Sequence, residues 1–298
     1  IDMLPRRLES GELAYIPAAG GAVFNTAVAL ARLGEQTSFF SGISTDFFGQ
    51  KLISTLTDAG VDCGNAVRSS LPTTLAFVTL KNGHAEYTFY DEKSAGKMIA
   101  PEDIPQLPPV KAAHFGAISL IGEPCGSTYE TMAMQLKDNV IISLDPNIRP
   151  GFITDEQSYR ARLERMCGIA DIIKISDDDL QWLHSDMDFE DWAQRWLSDV
   201  TQIVVLTKGE RGATAITRNF ELAVPALETL VSDTVGAGDA FNAGILSGLH
   251  QRGFLDKKKL RSISANDLQF AMGFATHVSA ITVSRPGADP PWHHELSI

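Results

Sequence analysis

The chain has 298 residues, 44% of them hydrophobic and 21% charged, and carries a formal net charge of -12. That length suits about two domains, or one large α/β domain with an appendage, around a real core. The acidity argues against a nucleic-acid partner, the apolar runs fall short of the roughly 20 residues of a membrane span, and Cys63, Cys125 and Cys167 lack the spacing of a disulfide framework or zinc site.

Taken in order, the first element is Gly-rich: Ala18-Ala19-Gly20-Gly21-Ala22-Val23-Phe24-Asn25 runs into a helical stretch, Thr26–Leu33. Paired glycines let backbone approach a ligand, and Asn25 can donate to or accept from hydroxyls. The alternative is a glycine helix cap with Asn25 on a solvated face. Next, Thr73–Lys81 and His84–Asp91 are β-rich runs joined by Asn82-Gly83, a strong hairpin signal. A hairpin in an α/β chain reads as a flap, with Leu13–Pro17 able to add a third strand. After residue 100 short apolar strands (Ala112–Ile118, Val140–Asp145, Asp171–Ile175, Ile203–Thr207) alternate with helices at Ser127–Lys137, Asp155–Cys167 and Phe189–Leu197. This is the pattern of a largely parallel sheet covered on both faces. Two small-residue helices follow, at Ala240–Gln251 and Asn266–Ala280.

The most telling tract is Asp233-Thr234-Val235-Gly236-Ala237-Gly238-Asp239-Ala240-Phe241. Consecutive amides in a Gly-Ala-Gly turn before a helix can converge on one anion, aided by the helix dipole. Asp239 at the lip could take a proton from an attacking hydroxyl, which together means phosphoryl transfer from a nucleotide to a small alcohol. A Gly-rich helix start with an acid in its first turn is the plainer reading. An anionic nucleotide on an acidic protein needs local cations, and Arg149, Lys174 and Lys208 are the candidates. For Lys174, which follows an apolar strand, a structural ion pair competes with a nucleotide contact.

Six motifs in order resemble the ribokinase-like sugar kinases of the PfkB family, and the bacterial fructokinases within it. They are AGGAVFNTAVALARLG, GISTDFFGQKL, DPNIRP, KISDDDL, LTKGERGA and DTVGAGDAFNAG, and they span nearly the whole chain. The resemblance implies a three-layer α/β/α core with a mostly parallel sheet (residues 1–8, 20–68 and 100–298) and a small β lid (9–19 and 69–99). It implies ATP as phosphoryl donor, Asp239 as base, and an anion hole from the Gly236, Ala237 and Gly238 amides with Arg149 beside it. Asp2, Gly20, Gly21 and Asn25 match sugar contacts. Asn147, Lys174, Ser176, Thr207, Lys208, Gly209, Gly212 and His277 match the nucleotide neighbourhood. Asp179 matches a magnesium position acting through water, and Asp233 a monovalent cation site taking potassium. A cytoplasmic enzyme, with neither nucleic acid nor membrane as partner and with lid edges pairing in a homodimer, is the family expectation.

Three departures qualify the resemblance. The family's opening strand would precede Ile1, so an N-terminal piece is expected beyond this sequence, and without it a gap at the sheet centre. The metal motif carries the shorter acid in Ser176-Asp177-Asp178-Asp179, and the return strand of the hairpin lacks an arginine. Fructose is the expected acceptor; ribose, a nucleoside and 2-keto-3-deoxygluconate stay open. A non-catalytic sugar-binding regulator is the alternative of another class.

Overall fold

The structure is a computed structural model describing residues 1–81, 84–107 and 109–296, with only the backbone path at 80, 81 and 84–87. Its elements in chain order are β1 (Asp2–Arg7), β2 (Leu13–Ala18), α1 (Ala22–Arg32), β3 (Gly42–Ser44), α2 (Phe47–Asp58), β4 (Val67–Ser69), β5 (Leu75–Lys81) and β6 (His84–Tyr90). There follow β7 (Ala112–Gly116), α3 (Cys125–Leu136), β8 (Ile141–Asp145), α4 (Glu156–Cys167), β9 (Ile172–Ser176), α5 (Asp177–Leu183), α6 (Phe189–Trp196), β10 (Ile203–Thr207), β11 (Ala213–Ile216) and β12 (Glu221–Val224). The chain then forms α7 (Ala237–Gln251), α8 (Lys257–Leu260) and α9 (Ala265–Val283).

The main sheet has the order β12-β11-β10-β9-β8-β7, with β7 to β10 parallel and β11 and β12 antiparallel at one side. Strand alternation sorts its side chains between two helical layers. Ile142, Leu144, Ile173, Ile175, Val204 and Leu206 pack with Tyr129, Leu163 and Trp192 from α3, α4 and α6. Their neighbours Ile141, Ile172, Ile203 and Val205 face the opposite way, onto Phe241 and Ile245 of α7 and Met272 of α9. Each strand is thus apolar on both sides, which is why these segments read as unbroken hydrophobic runs rather than alternating ones. Among the polar exceptions, Ser143, Asp145 and Lys174 lie on the α7 side, Asp145 at the carboxyl end of β8 and Lys174 at the middle of β9.

The lid is a four-stranded sheet of order β2-β1-β5-β6. Assigning residues 1–8 to the core needs correction, because β1 belongs to this sheet. A turn at 8–12, with Gly11 at φ 84°, folds β1 back on β2 so that Asp2 pairs with Ala18. The Leu13–Pro17 strand is present, and the Asn82-Gly83 turn lies outside the described residues. Separately, β3 pairs with β4, and one continuous cavity extends from the space between residues 37–44 and the edge strand β7 to Asp2, Gly20 and Asp239.

Three of the four tryptophans pack as core: Trp192 of α6 is buried, with Trp196 of α6 and Trp182 of α5 half-buried around it, while Trp292 is exposed. Cys125 and Cys167 are buried and Cys63 is half-buried, all as free thiols. No described helix is long and apolar enough to cross a membrane.

Candidate active site

Helix α7 begins three residues earlier than its apolar pattern suggests. Gly236 is its N-cap in the left-handed region (φ 79°, ψ 0°), a conformation that favours glycine, so Ala237, Gly238 and Asp239 form the first turn. The Ala237 N–H donates to the Thr234 carbonyl at 3.3 Å, whereas no hydrogen bond ties down the Gly236, Gly238 or Asp239 amides among the described residues. Of the expected trio, Ala237 is thus engaged in its own turn, while the N–H groups of Gly236 and Gly238, like that of Asp239, are unpartnered among the described residues. Helix N-terminal amides without partners are the groups that bind anions.

The Asp239 side chain is 6% exposed. Its Oδ2 accepts a hydrogen bond from Asn25 Nδ2 at 2.9 Å, and Thr26 Oγ1 donates to the Asp239 carbonyl at 3.2 Å. These bonds dock α1 on α7 and bring two Gly-rich motifs 214 residues apart into contact. Burial pushes the Asp239 carboxyl up to about 6. The Asn25 hydrogen bond opposes the shift, the Asp145 charge reinforces it, and Lys174 and Arg149 oppose it. A carboxyl tuned toward neutrality is suited to taking a proton near physiological pH.

Asp2 reaches the same place from the lid. A Cβ on Gly20 would lie 2.6 Å from Asp2 Oδ2, so the carboxylate rests on the glycine backbone. Burial raises the Asp2 pKa, against the pull of Arg149. Asp2, Gly20, Gly21, Asn25, Gly236, Ala237, Gly238 and Asp239 all line one cavity of about 920 Å³.

A second cavity, of about 490 Å³, is lined by Ser176, Asp177, Asp178, Asp179, Thr207 and Gly209. The two share Asn147, Arg149 and Gly238 as common wall. Arg149 is exposed, and its guanidinium donates to the Ile148 carbonyl at 3.0 Å. Among the described residues no carboxylate pairs with it, and its remaining donors are available. The loop carrying it is held by Asp179, whose Oδ1 accepts the Ile148 N–H at 2.8 Å and whose Oδ2 accepts Ser176 Oγ at 2.7 Å in a capping box.

Other expected residues lie elsewhere. Lys174 contributes to the second cavity's wall, but its ammonium is 2.9 Å from Asp145 Oδ2 and its side chain is 4% exposed. Lys208 turns onto β11, where Nζ donates to Thr214 Oγ1 at 2.7 Å. Lys208, Gly212 and His277, the last half-buried on α9, line neither cavity. Asp233 accepts the Val235 N–H at 3.0 Å and the Gly287 N–H at 2.9 Å, pinning the turn to the loop after α9. Sequence reasoning passed over Asn242, Thr26 and Asp145. Asn242 sits three residues after Asp239, hence on the same helix face, and that spacing was the available signal.

Residues 17–295 match the family described as pfkB family carbohydrate kinase. The chain belongs to that family. It is 47% identical over 270 residues to a fructokinase of Rhizobium leguminosarum bv. trifolii, covering 90% of this chain and 83% of that one. With fructokinase-1 of Oryza sativa subsp. japonica it shares 33% identity over 294 residues, 96% of this chain and 88% of the relative. The crystal structure of a Xylella fastidiosa fructokinase with bound ATP superposes with a TM-score of 0.89 at 28% identity, covering 96% of this chain and 90% of that one. A Vibrio cholerae O395 fructokinase in a fructose-, ADP- and calcium-bound form gives 0.83 at 28% identity, over 97% and 91%.

For a carbohydrate kinase the lid contact matters. Phe89 of β6 lies against Phe152, just beyond Arg149, with ring centroids 3.5 Å apart. Phe152→Ala is expected to raise KM for the sugar about tenfold, the equivalent of losing one well-packed aromatic pair. Steady-state kinetics check this; an unchanged KM would show that lid closure does not depend on the contact.

Proposed function

We propose that this chain is an ATP-dependent fructokinase that transfers the γ-phosphate to a primary hydroxyl of the sugar. The observation that carries the reading is Asp239 on the wall of the larger cavity, next to Gly238, which lines both cavities together with Asn147 and Arg149. The larger cavity takes the sugar against Asp2, Gly20, Gly21 and Asn25. The smaller takes the nucleotide phosphates beside Asn147, Ser176, Thr207 and Gly209. Asp239 accepts the proton of the attacking hydroxyl. The Gly236, Gly238 and Asp239 amides, with the Arg149 guanidinium, stabilise charge on the transferring group, and the lid excludes water.

The donor set fits magnesium. No cluster of three potential ligands exists among the described residues, but Mg²⁺ is ordinarily held by one or two carboxylates, water and substrate phosphates. Asp179, with Asp177 and Asp178 beside it, would hold such an ion through water. Bound there, it would offset phosphate charge that an acidic protein otherwise opposes. Asp233, on a turn tied to the loop after α9, supports a potassium site that would steady the α7 N-terminus. The exposed apolar side chains of Leu13, Ile16 and Tyr90 support pairing of two lids in a homodimer. Three free thiols and an ATP-dependent reaction suit a cytoplasmic setting.

A coupled ADP-release assay over fructose, ribose, 2-keto-3-deoxygluconate and nucleosides tests the proposal. Fructose is expected to give the highest kcat/KM, with activity rising when potassium replaces a large organic cation. Sugar binding without ADP release would refute catalysis, and faster turnover of a nucleoside would refute the choice of acceptor.

A further inference from the structure

Beneath the anion-binding turn lies a buried ion pair with an attached amide, Lys174, Asp145 and Asn242, that the reaction above does not use. Lys174 of β9 donates to Asp145 Oδ2 at 2.9 Å, and Asn242 of α7 donates to the same oxygen at 2.7 Å. The other oxygen, Asp145 Oδ1, is buried without a hydrogen-bond partner among the described residues, so the carboxylate is balanced through one atom alone. Both charged side chains are nearly sealed, at 4% and 2% exposure. A Cβ built on Gly238 would stand 3.0 Å from Lys174 Nζ, so the ammonium presses directly on the turn that would hold the phosphate.

We propose that Lys174 is a positioning residue for phosphoryl transfer, its ammonium anchored by Asp145 and set against Gly238 from behind, where it fixes the height of the amide turn and adds positive charge behind it. It touches neither substrate. This departs from the nucleotide contact that the family resemblance implies, and it rests on the kinase reading. The physical reason is that a buried ammonium is costly alone but stable when paired, and unpaired helix amides bind an anion better over a cation than over neutral packing. Asn242 makes the arrangement rigid by tying the same carboxylate to the helix that carries Asp239.

The charged and titratable groups that face Asp239 come from every side. Asp2 lies on β1, Asp145 on β8, Arg149 on the loop after it and Lys174 on β9, with Asn25 of α1 hydrogen-bonded to it. Asp179 and His114 lie further out, in electrostatic contact with Lys174 or Asp145. Removing Lys174 leaves Asp239 among acids; removing Asp145 leaves it nearer a cation. Opposite effects on its protonation follow.

The test is the pH profile of kcat/KM for K174M, D145N, the double variant and K174R, beside wild type. K174M is expected to move the acid limb up by about one pH unit and D145N to move it down by a similar amount, as charge partners at this range do. The double variant should return the limb toward that of wild type. K174R keeps the charge but brings a broader head against Gly238, so kcat should fall with the limb in place. The KM for ATP should change little throughout. A limb that stays fixed in both single variants, or moves the same way in both, overturns the proposal, as does a K174M whose chief defect is a raised KM for ATP. If K174M does not fold, D145N and K174R still decide the matter: a fixed limb in D145N or an unaffected kcat in K174R refutes it. A wild-type protein that phosphorylates no sugar at all fails the kinase reading instead, which separates the two failures.

Discussion

Asp239→Asn is expected to lower kcat by about 10²–10⁴-fold, the usual worth of a positioned general base, with a modest change in sugar affinity. The substitution keeps size and still offers an oxygen to Asn25 Nδ2, so what it removes is the capacity to take a proton. In the wild type, the pKa of about 6 places an acid limb on kcat/KM near that pH, because a protonated Asp239 cannot act as base. The same substitution should stabilise the fold. The folded pKa of about 6 stands above the ordinary value of 3.8. Below pH 3.8 the group is protonated in both states and costs nothing; the cost grows from there to 6 and is complete above it. At pH 8 it amounts to roughly 3 kcal/mol, an upper range for one buried carboxylate. Thermal unfolding of wild type and variant at pH 4 and 8 checks the sign: a higher Tm for the variant at pH 8 that fades toward pH 4. Near-normal turnover in the variant would dismiss Asp239 as base.

Arg149→Ala is the second large effect. Among the described residues the guanidinium makes one hydrogen bond, to its neighbour's carbonyl, and is otherwise unpaired on the wall between the two cavities. Its loss should reduce kcat about 10²–10³-fold, as removal of one donor to a developing anion does, while Tm stays close to that of wild type. Arg149→Lys should recover part of the rate, because a point charge replaces a fork of donors. Single-turnover measurements with saturating sugar separate the chemical step from binding. A kcat within a few-fold of wild type would leave Arg149 as a loop residue with no part in transfer.

Much of this was legible in the chain because the decisive elements are local. A Gly-Ala-Gly turn before a small-residue helix, an Asp at its lip, and short apolar strands between helices each follow from propensity and period within about ten residues. Helix boundaries were less legible. The start of α7 at Ala237 depends on Gly236 adopting a left-handed conformation, which apolar periodicity does not register. The place of β1 in the lid was missed for a different reason. Its membership depends on which strand it pairs with, and pairing partners far apart in sequence leave no local mark.

The candidate site divides in the same way. The residue types that could carry phosphoryl transfer, and the turn that presents them, were determined by the sequence alone, since both depend on neighbours along the chain. Tertiary structure decided which of those groups meet. It turned Lys174 and Lys208 away onto Asp145 and Thr214, left Arg149 without a carboxylate partner among the described residues, and set Asn25 against Asp239 across 214 residues. The reason is that a buried charge must find its partner in three dimensions, and that partner comes from whichever strand or helix the packing places alongside.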